Sequence, residues 1–194
     1  MQDRVQIGIE QNRKGYCKIK VKDADGNAVK GAPIDAIGMQ YHMFFRKEEA
    51  PQRTSNYYDP CHLYKIMDRY AKLNKPIEIT EITIPAYSNN AEDEQLQAEI
   101  LTYLYAIWFS HPNVEQIIYW NLVDGYAAFA PQGDMTSGEN YFYGGLARFD
   151  FTKKPAYYAL ENLIKNVWHT QAECVSSEEG NAVFKVFFVS TMLR

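Results

Sequence analysis

The sequence predicts an α/β protein in which parallel strands are joined and covered by helices. Three observations carry this reading. From Pro33 onward, short apolar segments of strand character alternate with segments of helical period in the order β-α-β-α-β-α, which favours parallel strands with helices outside them. Prolines or acidic residues of the kind that open and close such elements bound several of the segments. One β-branched run, Lys-Pro-Ile-Glu-Ile-Thr-Glu-Ile-Thr at residues 75–83, sets carboxylates among isoleucines that favour burial. A carboxylate held in such a run is costly unless it is paired or hydrogen-bonded, which marks it as a candidate for function.

Residues 1–33 follow a different grammar. Cys17, Ile19 and Val21 alternate with Lys18 and Lys20, Asp23-Ala24-Asp25-Gly26-Asn27 is a turn signal, and Ala28-Val29 begins a return strand, so a small N-terminal β hairpin is expected. Residues 34–40 form a short apolar strand containing Gly38. Leu63, Ile66, Met67, Tyr70 and Leu73 keep one helical stripe. In the next strand Pro76 opens the run, Ile77, Ile79, Ile82 and Ile84 supply strand propensity, and Pro85 closes it, which puts Glu81 at the carboxyl end. In sheets whose strands are joined by helices, that end gathers ligands and catalytic groups. Leu96, Ile100, Tyr103, Leu104, Ile107 and Trp108 mark a longer helix, with Asp93 and Glu94 in a first turn whose dipole favours them. Residues 117–122 are a third strand. Residues 155–164 are a third helix, with Pro155 at its start and Leu160, Leu163 and Ile164 on one side. Residues 182–188 have the composition of a further strand.

Composition narrows the function classes. With 194 residues and 46% hydrophobic content the chain can bury a core, and it reads as one domain or one domain with an appendage. A net charge of −4 with both signs interspersed gives no footprint for nucleic acid or an anionic membrane surface. No apolar run reaches the roughly 18 residues of a membrane span, and the amino terminus has no apolar leader core. Cys17, Cys61 and Cys174 are odd in number and widely spaced, so neither a disulfide framework nor a zinc site is expected. No pair of His, Cys or Asp residues has ligand spacing around an apolar frame, and no metal or cofactor is expected. Fifteen tyrosines and three tryptophans exceed what packing needs and suit the apolar faces of sugar rings.

Four segments in order carry a family resemblance: Ile34-Asp35-Ala36-Ile37-Gly38-Met39-Gln40-Tyr41-His42, then Ile79-Thr80-Glu81, then His111-Pro112-Asn113-Val114 leading to Trp120-Asn121-Leu122-Val123-Asp124, and Lys154-Pro155-Ala156-Tyr157. Over roughly residues 33–170 the chain resembles glycoside hydrolase family 10, the endo-β-1,4-xylanases built on a (β/α)8 TIM barrel. The resemblance implies that the three strands are the sixth to eighth of that barrel and that the chemistry is retaining hydrolysis of xylan or a related β-1,4 polysaccharide. By position, Glu81 matches the nucleophile, which attacks the anomeric carbon. Gln40 and His42 match a Gln-x-His pair that shares one strand face, from which His42 orients the nucleophile. Trp120 matches the tryptophan that walls the sugar site, and Asp124 matches an aspartate that fixes a loop. A secreted, periplasmic or cell-surface location is implied by the family; the oligomeric state is left open.

The resemblance also defines departures. The family's acid/base glutamate, in an Asn-Glu motif at the end of the fourth strand, has no counterpart here, and Glu139 in Ser137-Gly138-Glu139-Asn140 lies in a later loop without a family motif. Ala127-Ala128-Phe129 stands where the family usually has a second tryptophan, for which Phe129 is a partial substitute. Residues 13–32 resemble a small β segment found ahead of the barrel in some bacterial members, with the first five βα units skipped at Gly31-Ala32-Pro33-Ile34; an internal deletion, faulty assembly or incomplete gene model would produce this. The expected organisation is an N-terminal β segment at 1–33, the C-terminal part of a barrel at 34–170 and a truncated β tail at 171–194. A non-catalytic carbohydrate-binding remnant is the alternative to an enzyme.

Overall fold

The computed structural model of the chain describes Asp25, residues 34–170, Glu173 and residues 175–181. The expected hairpin at 17–29 and the strand at 182–188 lie outside these residues, apart from Asp25. The chain divides into two compact units between Asp35 and Ala36, and the elements below belong to the second.

Its described residues form a parallel three-stranded sheet with helices along one face. Strand β1 is Ile37–His42, β2 is Ile77–Thr83 and β3 is Val114–Tyr119, in the spatial order β1-β2-β3. The short helix α1 (Ala50–Arg53), a 3-10 turn (Ser55–Tyr57) and α2 (Pro60–Ala71) join β1 to β2, and α3 (Ala91–Ser110) joins β2 to β3. After β3 a long loop containing a 3-10 turn (Gly138–Phe142) leads to α4 (Pro155–Asn162), which ends in a π-helical turn, Leu163–Val167. Parallel neighbours need such crossovers, and helix-lined crossovers cover one sheet face. Sequence explains the starts: Asp59 accepts from Cys61 N ahead of Pro60, and Asn90 accepts from Asp93 N at 2.8 Å ahead of α3, each satisfying an otherwise orphaned donor. Among the described residues no helix is long and apolar enough to cross a membrane.

The core lies between the sheet and its helices. Ile77, Ile79, Ile82 and Ile84 pack there with Leu101, Leu104 and Trp108 of α3, Leu63 and Met67 of α2, and Ala156 and Leu163 beyond them. β2 carries a device that isoleucine spacing already hints at. Met39 pairs with Ile79 but Gln40 pairs with Glu81, so Thr80 is an extra residue, a β-bulge. Without it Glu81 would share the core-facing side of Ile77 and Ile79, two residues apart along the strand. With it the inward period resumes one residue late at Ile82 and Ile84, and Glu81 turns to the face of Gln40 and His42.

Several expected boundaries shift. Strand β1 begins at Ile37 rather than 34, where Ile37 N donates to Pro76 O and pairing with β2 starts. β3 runs from Val114 to Tyr119 rather than over 117–122, and Leu122 is 62% exposed. Tyr70 and Leu73 leave the expected α2 stripe: the first is exposed in the last turn, and the second lies past the end of the helix. On α3 the buried stripe is rotated by about one residue, so Leu96 and Tyr103 face solvent while Glu94, Gln97, Ala98, Leu101 and Tyr105 are buried. The reason is polar and long-range. Glu94 is ion-paired with Arg148, and Gln97 donates to the carbonyls of Ile84 and Gly145, contacts that an apolar pattern cannot register. Ile164, expected on the inner side of α4, is exposed where the helix passes into its π turn.

Candidate active site

The site forms on the sheet face opposite the core, at the carboxyl ends of the strands. Glu81 is held from two sides: Gln40 Nε2 donates to Oε1 at 2.9 Å, and His42 Nε2 lies 2.9 Å from Oε2. An ionised carboxylate only accepts, so His42 Nε2 carries the proton in that bond. The other ring nitrogen, Nδ1, meets the hydroxyl of the buried Thr83 at 3.0 Å. These donors hold the Glu81 carboxyl below its ordinary value, His42 contributing first and Gln40 second, against a smaller opposing effect of desolvation. The side chain keeps 27% exposure, so an ionised oxygen stays reachable from solvent.

Aromatic rings enclose the imidazole. Phe44 stacks on His42 with centroids 4.7 Å apart, and the Trp120 indole stands edge-on to it at 6.0 Å and 79°. Phe44 in turn contacts Phe142 of the 3-10 turn at 5.0 Å. Trp120 follows β3, its backbone N donating to Ile82 O at 2.8 Å, next in sequence to Glu81. The structure thus brings Gln40, His42, Glu81 and Trp120 together. Asp124 lies apart from them in a buried pair with Lys154 at 3.1 Å, and it accepts from Gly145 N at 2.7 Å. A Cβ on Gly145 would fall 2.5 Å from Asp124 N, so only glycine permits this approach. Phe129 is fully exposed at positive φ and makes no ring contact among the described residues.

Thr83, Phe44 and Glu139 belong to the cluster, and the sequence alone assigns them no role. Thr83 had a usable signal, since it lies two residues beyond Glu81 on the same strand face. Glu139 had none: its carboxylate accepts from Trp120 Nε1, 19 residues away.

The sequence profile described as Glycosyl hydrolase family 10 matches residues 9–163. The chain belongs to glycoside hydrolase family 10. The match begins within the stretch set apart as an N-terminal β segment. Endo-1,4-beta-xylanase B of Thermotoga neapolitana is 29% identical over 140 residues, covering 70% of this chain and 36% of that protein. Anti-sigma-I factor RsgI6 of Acetivibrio thermocellus is 33% identical over 90 residues, covering 46% of this chain and 10% of that protein. The family 10 chain therefore spans little more than a third of the length of its xylanase relative. Among solved structures it resembles xylanase 10B of Thermotoga maritima at 24% identity, with a TM-score of 0.50 over 71% of this chain and 38% of that one. The beta-glucuronidase of Faecalibacterium prausnitzii matches at 16% identity and a TM-score of 0.51, over 69% and 22%. These likenesses show the fold, an incomplete (β/α)8 barrel of three consecutive βα units.

Proposed function

We propose that this family 10 chain carries the nucleophile half of a retaining glycosidase site acting on xylan or a related β-1,4 polysaccharide. The observation that carries the reading is the Glu81 carboxylate, kept ionised and aimed by Gln40 and His42 on the face away from the core. Such a group attacks the anomeric carbon and holds the glycosyl ester until water releases it. Gln40 and the Trp120 indole bind the sugar beside it, and His42 orients the nucleophile. Similarity to the Thermotoga neapolitana xylanase supports xylan as the substrate class, and membership of the family supports an extracellular location. Complete turnover also needs a proton donor for the leaving group, worth about 10² to 10⁴ in rate.

A fluorosugar xyloside with an activated phenol leaving group tests the nucleophile, because that phenol departs without acid assistance. Glu81 is expected to gain the mass of one glycosyl unit, and Glu81→Ala to gain none. Labelling at another residue would overturn the assignment. A reducing-sugar assay on xylan at high protein concentration, with Glu81→Ala as control, then measures turnover. A second reading, a carbohydrate-binding remnant that cuts no bond, is favoured by the sequence offering no counterpart of the acid/base glutamate; it predicts xylo-oligosaccharide binding with neither label nor turnover.

A further inference from the structure

Glu139 sits in the 3-10 turn Gly138–Phe142, and the proposed reaction gives it no role. Its Oε2 accepts from Trp120 Nε1 at 2.9 Å and from Asn121 Nδ2 at 2.9 Å. Its Oε1 has no hydrogen-bond partner among the described residues, and the side chain is half-buried. Two donors thus converge on one oxygen while the other keeps acceptor capacity that no described residue uses.

The turn that presents this carboxylate is itself firmly held. The buried Asn140 side chain accepts from Ala127 N at 3.0 Å and donates to the carbonyls of Pro131 and Asp134, and Phe142 O accepts from Ala86 N and Tyr87 N. The indole is therefore fixed twice, through its backbone at Ile82 O and through its ring nitrogen at Glu139. Asn121 adopts a left-handed conformation, φ 61°, and its amide is anchored on the same oxygen, which offsets part of that backbone cost. A bond from N–H to a carboxylate is stronger than its neutral counterpart and suits fixing a wall whose angle matters.

We propose that Glu139 is a positioning residue of the sugar site: Oε2 locks the Trp120 indole edge-on to His42, and Oε1 accepts a hydroxyl of the bound pyranose. The second half rests on the carbohydrate reading above; the first does not.

Nitrogen-proton NMR of the full chain, with the Trp120 indole signal assigned by Trp120→Phe, reads the two halves separately when combined with xylotriose titration. Glu139→Gln retains a carbonyl acceptor and is expected to keep the indole N–H signal close to its original position and protected from exchange. Its amide nitrogen replaces Oε1, so xylotriose affinity falls by about tenfold. Glu139→Ala is expected to move the signal, speed exchange by about tenfold or more and weaken binding at least as much. Glu139→Met, which fills the same space without an acceptor, replaces it if the alanine variant unfolds. An indole signal unmoved in the variant lacking an acceptor overturns the lock, and unchanged affinity in Glu139→Gln overturns the hydroxyl contact. A wild-type chain that binds no xylotriose rejects the sugar reading and the hydroxyl contact with it, while the indole signal still decides the lock.

Discussion

Asp124 and Lys154 are almost wholly withdrawn from water, at 4% and 0% side-chain exposure. Burial pushes the aspartate up and the lysine down, and each partner's charge opposes the shift of the other. Remaining polar capacity is met by Gly145 N on Asp124 and by Tyr143 O on Lys154. Removing one partner strands a buried charge, so Asp124→Ala is expected to cost about 3–5 kcal/mol in urea unfolding, and Asp124→Ala with Lys154→Met distinctly less. At this scale the sequence was informative where spacing determines contact. The i, i+2 relation of Gln40 and His42 implied a shared face, and both reach Glu81. Glu139 was visible only as a loop glutamate, because its contacts with Trp120 and Asn121 depend on how a long loop returns over β3. The pair between Asp124 and Lys154 was hidden for the same reason.

Helix α3 owes its start to more than its own cap. Asp93 accepts from Lys47 Nζ at 2.8 and 2.7 Å, from Ser88 Oγ at 2.7 Å and from Asn90 Nδ2 at 3.1 Å, tying the loop after β1 to the first turn of α3. These bonds, Lys47 foremost and then Ser88, lower the Asp93 pKa. For a depressed carboxylate the stabilisation is complete above the unfolded value, about 3.9, and is lost as pH falls through the native one. Stability should therefore fall as pH is lowered from about 5 to about 2, and Asp93→Asn should show a shallower fall, read from urea midpoints at each pH. The acidic first turn of α3 was legible in the sequence, but its buried stripe was not. Apolar periodicity assigns Leu96 and Tyr103 inward, whereas Glu94 and Gln97 hold buried positions through bonds to the later loop. Strand order was more robust, since alternating strands and helices leave few topologies open.

Across the molecule, one helix-covered face carries the stability and the opposite face carries the proposed chemistry. Trp108 is fully buried among Tyr41, Tyr105 and the rest of the cluster. Trp108→Ala is expected to cost about 3–5 kcal/mol, a large share of the roughly 5–15 kcal/mol of an ordinary domain, and near-UV circular dichroism would register the loss of packing. Family membership was legible from four short segments because they hold strand ends and turns, where chemistry restricts residue choice. The extra residue at Thr80 is of another kind. The bulge leaves it out of the pairing, so that two isoleucine pairs keep the helix side and an acid keeps the open side although their spacing in sequence is out of step. An in-frame loss of that single codon would therefore leave a plainly alternating strand with the same two faces, whereas flattening the bulge with the codon kept would drive the carboxylate among the helices and turn the aliphatic pair beyond it outward.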